Sequence, residues 1–464
     1  MPAAALNLPA IAAATAALSV GACVENQPYR LAKIDDAHYA EQLPYEEDSE
    51  AGEGRRYHLS FVEFDEKGDF WDRRQLGRAA EAIAKHPHQP MLLVIFIHGW
   101  HHNSNDRTPP GDVETFRCLL SQLAVSDATE NVRVHGVYLG WRGRLLHGHL
   151  DYLTFWGRKA AAARVAGTPV TETIFELIRQ ARKYHAGAAR CVLVGHSFGA
   201  FMLEKAMAQA MTGAILSQAA SRERQGFAAP ADLVLLVNSA AESLYAKQMR
   251  DMFERIEPRG DVDPHHPLMI SITSESDSAT GYWFRVGTFF PNVFTHRQYH
   301  WGDRYDHASD EVDQNEYLTT TPGHNTRLFS HRIAHIEPPP DAPSPELMQT
   351  RAKRSNTCPL EENAAFEQNL RYPRQDFAFA TASLPGARKF DWWQLVEEGR
   401  DRTTPYWIMH VPDQIIHGHG PIFTPAGRAL MAALFRIANP SGTTAPRQIR
   451  LSDNTTSSAP VSSQ

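Results

Sequence analysis

Ser197 sits between two glycines, in Gly195-His196-Ser197-Phe198-Gly199, directly after the apolar run Arg190-Cys191-Val192-Leu193-Val194. A serine hydroxyl is a weak nucleophile near neutral pH. It needs a base within hydrogen-bond reach, an acid that orients the base, and N–H donors for the oxyanion that develops on its substrate. A G-x-S-x-G turn with a buried strand before it and a helix after it presents such a serine at the carboxyl edge of a sheet, because the glycines let strand and helix pack closely around a strained turn. Phe198 to Ser217, rich in Ala, Met and Leu, predicts that helix. A mere tight turn is the competing reading of the pentapeptide, and the strand, turn, helix order argues against it.

The remaining parts of such a site have candidates. His98-Gly99-Trp100 ends an earlier buried strand, so the backbone N–H groups of Trp100 and Phe198 are the expected oxyanion hole. His98 itself reads as a histidine that fixes this loop by hydrogen bonds. In sites built on this turn the acid follows the nucleophile and the histidine comes last, which prunes a set of 23 histidines. Asp277, in Ser274-Glu275-Ser276-Asp277-Ser278, follows a strand ending near Thr273 and is the preferred acid. Glu275 and Glu242 are its rivals, Glu242 because it follows the preceding strand. His419, in the glycine-flanked loop Ile415-Ile416-His417-Gly418-His419-Gly420-Pro421-Ile422-Phe423, is the preferred base. His417 is the alternative base, and His410 falls within a strand.

Together, Gly195-His196-Ser197-Phe198-Gly199, His98-Gly99, Asp277 and His419 resemble the α/β-hydrolase superfamily of serine esterases and lipases, from about Tyr57 to Asn439. His98-Gly99-Trp100 and Trp141-Arg142-Gly143 look most like bacterial α/β-hydrolase-like proteins. The resemblance implies a doubly wound, mostly parallel sheet and cleavage of a carboxylic ester through an acyl-enzyme on Ser197, with a small-molecule or lipid ester as substrate and no cofactor. It does not distinguish esterase from amidase, thioesterase or acyltransferase.

The elements that must position these residues follow an α/β rhythm. Continuous apolar runs of strand length at Met91–Ile97, Val132–Leu139, Leu233–Val237 and Leu268–Ile272 suit parallel strands buried on both faces. Helical spacing lies between them, at Asp72–Lys85, Val113–Leu123 and about Glu242–Arg255. A last strand, Tyr406–Val411, and a last helix, Pro425–Ile437, close the pattern. Residues 281–403 break it, being long, aromatic and interrupted by Pro338-Pro339-Pro340, and are expected to be an insertion and not another sheet repeat. Trp283, Phe284, Phe289, Phe290, Phe294, Trp392 and Trp393 within it read either as an apolar lid or as core.

Composition bounds the rest. With 42% hydrophobic and 21% charged residues, the chain reads as a folded globular body. A formal charge of −7 over 464 residues, with no long run of like charges, does not suggest a nucleic-acid partner. Residues 1–23 are Ala-rich and uncharged, and Leu18-Ser19-Val20-Gly21-Ala22-Cys23 resembles the lipobox of bacterial lipoproteins. That resemblance implies lipidation at Cys23, membrane anchoring and a place in the cell envelope. A plain Ala-rich leader on a cytoplasmic protein is the alternative. Residues 24–56 read as a polar tether, 57–439 as the catalytic domain, and 440–464 as a disordered Ser/Thr/Pro-rich tail.

Two other functions compete. The histidines at 98, 101 and 102, with His265-His266 or His417 and His419, raise a metal-dependent hydrolase, although no H-E-x-x-H or comparable ligand spacing occurs. A binding protein that keeps the fold without catalysis is the second, since fold alone does not establish function.

Overall fold

A computed structural model of the chain describes residues 26–31, 43–44, 46–52, 55–105, 111–125, 132–146, 151, 154–220, 227–253, 267–285, 288, 314–338, 340, 378–382, 390–398, 404–438 and 448–449. Eleven strands make one mixed sheet. In chain order they are β1 (Glu46–Gly52), β2 (Arg55–Glu63), β3 (Met91–Ile97), β4 (Arg133–Gly140), β5 (Ala189–His196), β6 (Leu233–Val237), β7 (Met269–Ser274), β8 (His331–Ile336), β9 (Ala378–Ala382), β10 (Phe390–Glu397) and β11 (Tyr406–Val411). The helices are α1 (Arg74–Ala84), α2 (Asp112–Val125), α3 (Phe155–Val165), α4 (Thr168–Tyr184), α5 (Phe198–Ala220), α6 (Ser243–Phe253), α7 (Gln314–Thr319) and α8 (Pro425–Ala438). Across the sheet the order is β9-β10-β8-β11-β7-β6-β5-β3-β4-β2-β1. From β2 to β8 every neighbour is parallel. β1 and β10 pair antiparallel with their neighbours. The chain is therefore of the α/β class, with a mostly parallel mixed sheet.

Every residue of β3 is buried, as a strand covered on both faces requires. Leu93, Ile95 and Ile97 point into one core, with Ala79 of α1, Ala161 of α3, Leu177 of α4 and Met202 of α5. Leu92, Val94 and Phe96 point into the other, with Phe116 of α2 and Leu430 of α8. Helices thus lie on both faces. In α4 the buried positions Val170, Ile174, Leu177, Ile178 and Ala181 follow the helical period, which explains why this segment folds as a one-sided helix.

β3 lies in space between β4 and β5, so Ile97 pairs with Gly195. His196 in turn pairs with Val237, Val237 with Ile272, and Ser274 with Val411. The carboxyl ends of β3, β5, β6, β7 and β11 are level, and the loops that follow them emerge along one edge.

Three expectations are corrected. Residues 24–56 are not wholly a tether, because Glu46–Gly52 forms an edge strand on β2. It is held by ion pairs where apolar residues are lacking: Glu47 meets the buried Arg30 at 2.9 Å and Arg117 of α2 at 2.7 Å. Charged side chains are at home on an edge strand. Residues 281–403 do join the sheet, since β8 extends it in parallel beside β11 and β10 and β9 follow. Trp392 and Trp393 are buried there. In the tail, Gln448–Ile449 pairs with Phe227–Ala228.

Candidate active site

Ser197 has φ of +55°, a left-handed conformation that is strained for a residue with a side chain. The turn is pinned on both sides. The Ser197 N–H donates to the Val237 carbonyl at 2.9 Å, and its carbonyl accepts from Phe201 at 3.1 Å and Ala240 at 3.3 Å. A Cβ on Gly195 would lie 2.6 Å from the Ala200 Cα, and one on Gly199 would lie 2.6 Å from the His98 carbonyl oxygen. Both positions therefore admit glycine alone without a shift of backbone.

Ser197, His419 and Asp277 form one hydrogen-bonded chain. His419 Nε2 is 2.8 Å from Ser197 Oγ, and His419 Nδ1 is 3.0 Å from each oxygen of Asp277. Asp277 also accepts from the Ala279 N–H at 3.0 Å, the Thr280 N–H at 3.2 Å and the Thr280 hydroxyl. Burial opposes its charge, but the His419 imidazole and the Thr280 donors outweigh it and hold the Asp277 carboxyl down at about 2. A carboxylate ionised in this position can orient the imidazole and support its protonated form.

The rival residues are engaged elsewhere. Glu242 takes an ion pair from Lys159 at 2.6 Å, and Glu275 is exposed. His417 is 81% exposed and pairs with Asp413 at 2.8 Å. His410 bonds to the Gly323 carbonyl. Cys23 and His265-His266 lie outside the described residues.

The loop after β3 is clamped beside Ser197. His98 Nδ1–H donates to the Gly99 carbonyl at 2.9 Å while its Nε2 accepts from the Trp141 N–H at 3.0 Å. Burial pushes His98 down to about 3, so it is neutral and fixes the loop. Trp141 returns an indole N–H to the His98 carbonyl at 3.0 Å. The His101 N–H donates to the Gly143 carbonyl at 3.2 Å, the Gly143 N–H to the His102 carbonyl at 3.1 Å, and the His101 ring meets buried Asp151 at 2.7 Å. A Cβ on Gly99 would stand 2.8 Å from Ser197 Cβ, so the Gly99 backbone runs directly against Ser197. Phe198 opens α5, where an N–H has no partner within the helix.

Sequence reasoning missed the residues that join the loops. Asn238, at φ +47° after β6, accepts from the Ser274 N–H at 2.9 Å and donates to the Gly418 carbonyl at 3.1 Å. Ser274 Oγ donates to the Ile416 carbonyl at 2.6 Å, and Ser276 Oγ accepts from the Gly418 N–H at 2.8 Å. His196 Nε2 lies 2.9 Å from the His419 carbonyl. A polar residue directly after a fully apolar strand was the available signal for Asn238. Sequence reasoning also missed a group near this edge, in which His102, Asp112 and His196 each bring one ligand-type atom within 4.8 Å of the others.

Of the aromatic residues in 281–403, Phe284, Trp392 and Trp393 are buried and Trp283 is 65% exposed, while Phe289, Phe290 and Phe294 lie outside the described residues. Next to Ser197 in the chain, Phe198 has Phe155 at 5.0 Å, Trp141 at 6.4 Å and Trp100 at 6.5 Å between ring centres. Among the described residues no helix is long and apolar enough to cross a membrane. In comparisons with known proteins, no family model matches the chain and no curated protein matches it.

Proposed function

We propose that this chain is a serine hydrolase of the α/β-hydrolase type that cleaves carboxylic esters through an acyl-enzyme on Ser197. The observation that carries the reading is the unbroken contact from Ser197 Oγ through His419 to Asp277, at 2.8 and 3.0 Å, on a left-handed turn between strand and helix.

In the proposed reaction His419 Nε2 takes the Ser197 proton as Oγ attacks the ester carbonyl. Trp100 and Phe198 donate their backbone N–H groups to the oxyanion, and the imidazolium then protonates the departing alcohol. Water enters by the same route in reverse and releases the acid. Asp277 remains ionised throughout and fixes the His419 tautomer with its proton on Nδ1. A small-molecule or lipid ester is the proposed substrate.

Anchoring at the cell envelope through a lipidated Cys23 belongs to the same proposal. It rests on the lipobox-like segment. Hydrolysis of p-nitrophenyl esters of increasing chain length by wild type and by Ser197→Ala tests the enzyme reading. Turnover in wild type with none in the variant supports it, and equal turnover in both rejects it.

A further inference from the structure

We propose that His102, Asp112 and His196 form a binding site for one divalent transition-metal cation of the zinc type, set beside the nucleophile turn. The argument begins with hydrogen-bond polarity. His196 Nε2 lies 2.9 Å from the His419 carbonyl oxygen, which can only accept, so the ring proton is on Nε2 and Nδ1 presents a lone pair. His196 Nδ1 is buried and has no hydrogen-bond partner, and the same holds for Asp112 Oδ2. The residues themselves are 3% and 5% exposed. A nitrogen of His102 completes the group, its Nδ1 being 3.6 Å from Asp112 Oδ2.

A buried acceptor without a hydrogen-bond partner is unfavourable, and buried polar atoms in folded proteins are almost always satisfied. A cation resolves the conflict. Two imidazoles and a carboxylate are a common ligand set for zinc, with bonds of about 2.0–2.2 Å that place ligand atoms about 3.3 Å apart in a tetrahedron. The three atoms already lie within 4.8 Å of one another, so small side-chain rotations close the shell. The supporting hydrogen bond is in place as well: a metal-bound histidine ordinarily gives its other N–H to a carbonyl or carboxylate, as His196 does. The His102 side chain, 30% exposed, leaves a route from solvent.

The three ligands come from the loop after β3, the first turn of α2 and the last residue of β5. An ion there ties the Gly99-Trp100 loop to the nucleophile turn and, through His196, to the carbonyl of His419. This bracing role rests on the serine-hydrolase reading, but binding of the ion does not. Chemistry at Ser197 stays with His419 and Asp277.

The test uses the full chain without a histidine tag, stripped with a chelator and titrated with zinc alone. Bound metal is counted by mass spectrometry, and the shell is read by X-ray absorption at the zinc edge. One equivalent with two imidazoles in the shell is expected. His102→Ala and Asp112→Asn are each expected to weaken binding by more than the roughly 10–100-fold that loss of an outer-sphere partner brings. If a variant fails to fold, the absorption spectrum of zinc-loaded wild type decides. Absence of uptake by wild type, an all-oxygen shell, or unchanged affinity in folded variants overturns the site. Phosphonate labelling of Ser197 is scored separately: uptake without labelling keeps the metal site and rejects the hydrolase, and labelling without uptake does the reverse.

Discussion

The side-chain amide of Asn238 donates to the backbone carbonyl of Gly418 at 3.1 Å, joining the end of β6 to the loop that carries His419, 180 residues further along the chain. The same amide accepts from Ser274 N–H, next to the loop of Asp277. The loops of Asp277 and His419 therefore share one support that is not part of the Ser197–His419–Asp277 contact.

Asn238→Ala removes that support while Ser197, His419 and Asp277 remain. Each lost buried hydrogen bond weakens the loops by about 1–3 kcal/mol where a partner is left unsatisfied. The expected result is a fall of roughly 10–100-fold in kcat, in line with a 1.4 kcal/mol loss per tenfold, with KM little changed. Steady-state kinetics on the folded variant check it. A change confined to KM would assign Asn238 to substrate contact.

Asp277→Asn is expected to lower kcat by about 10⁴-fold by favouring the wrong imidazole tautomer, whereas Glu242→Gln and Glu275→Gln leave it near wild type. A large loss in Glu242→Gln and none in Asp277→Asn reverses the choice of acid.

The low value of Asp277 also has a stability consequence. With the folded group at about 2 against an ordinary 3.8, its contribution is complete above pH 4 and is lost as pH falls through about 2. Its carboxylate is fully buried, and the contribution is about 2 kcal/mol. Asp277→Asn should therefore lower the melting temperature at pH 6 more than at pH 3. An equal loss at both values contradicts the ionised, paired carboxylate.

Glu204 titrates in the opposite sense. Burial raises it to about 8, although the Tyr406 hydroxyl donates to it at 3.0 Å. Between the ordinary 4.5 and about 8 the folded state holds a proton that the unfolded state has released, so stability falls as pH rises through that window. Glu204→Gln is expected to be more favourable relative to wild type at pH 9 than at pH 5, measured by thermal unfolding. The reverse trend contradicts a neutral buried Glu204.

Gly99→Ala places a methyl group 2.8 Å from Ser197 Cβ and 3.0 Å from the His196 carbonyl oxygen. Overpacking of this kind destabilises by about 1–3 kcal/mol, and the displaced loop should also slow acylation. Thermal unfolding and phosphonate labelling rates measure the two effects. Wild-type values in both would show that the loop yields without consequence.

Ser197, Asp277 and His419, which the structure brings into hydrogen-bond contact, could be singled out in the sequence because each sits in a local pattern, a glycine-flanked turn or a loop following an apolar strand. The parallel core was legible for the same reason, since Met91–Ile97 is apolar at every position. The edge strand Glu46–Gly52 was not, because its acidic residues are held by Arg30 and Arg117 and not by apolar burial. Nor was the pairing of β8 with β11, which requires knowing where the chain returns after leaving the sheet. Asn238 and the group of His102, Asp112 and His196 are tertiary facts: their members lie in different elements, and no spacing along the chain relates them.

The most direct test of Ser197 as an activated nucleophile is the intact mass of the protein after exposure to a fluorophosphonate, wild type against Ser197→Ala. A single adduct on wild type and none on the folded variant is the predicted result. Wild type that takes no adduct, or a variant that takes the same adduct, contradicts a nucleophile at Ser197.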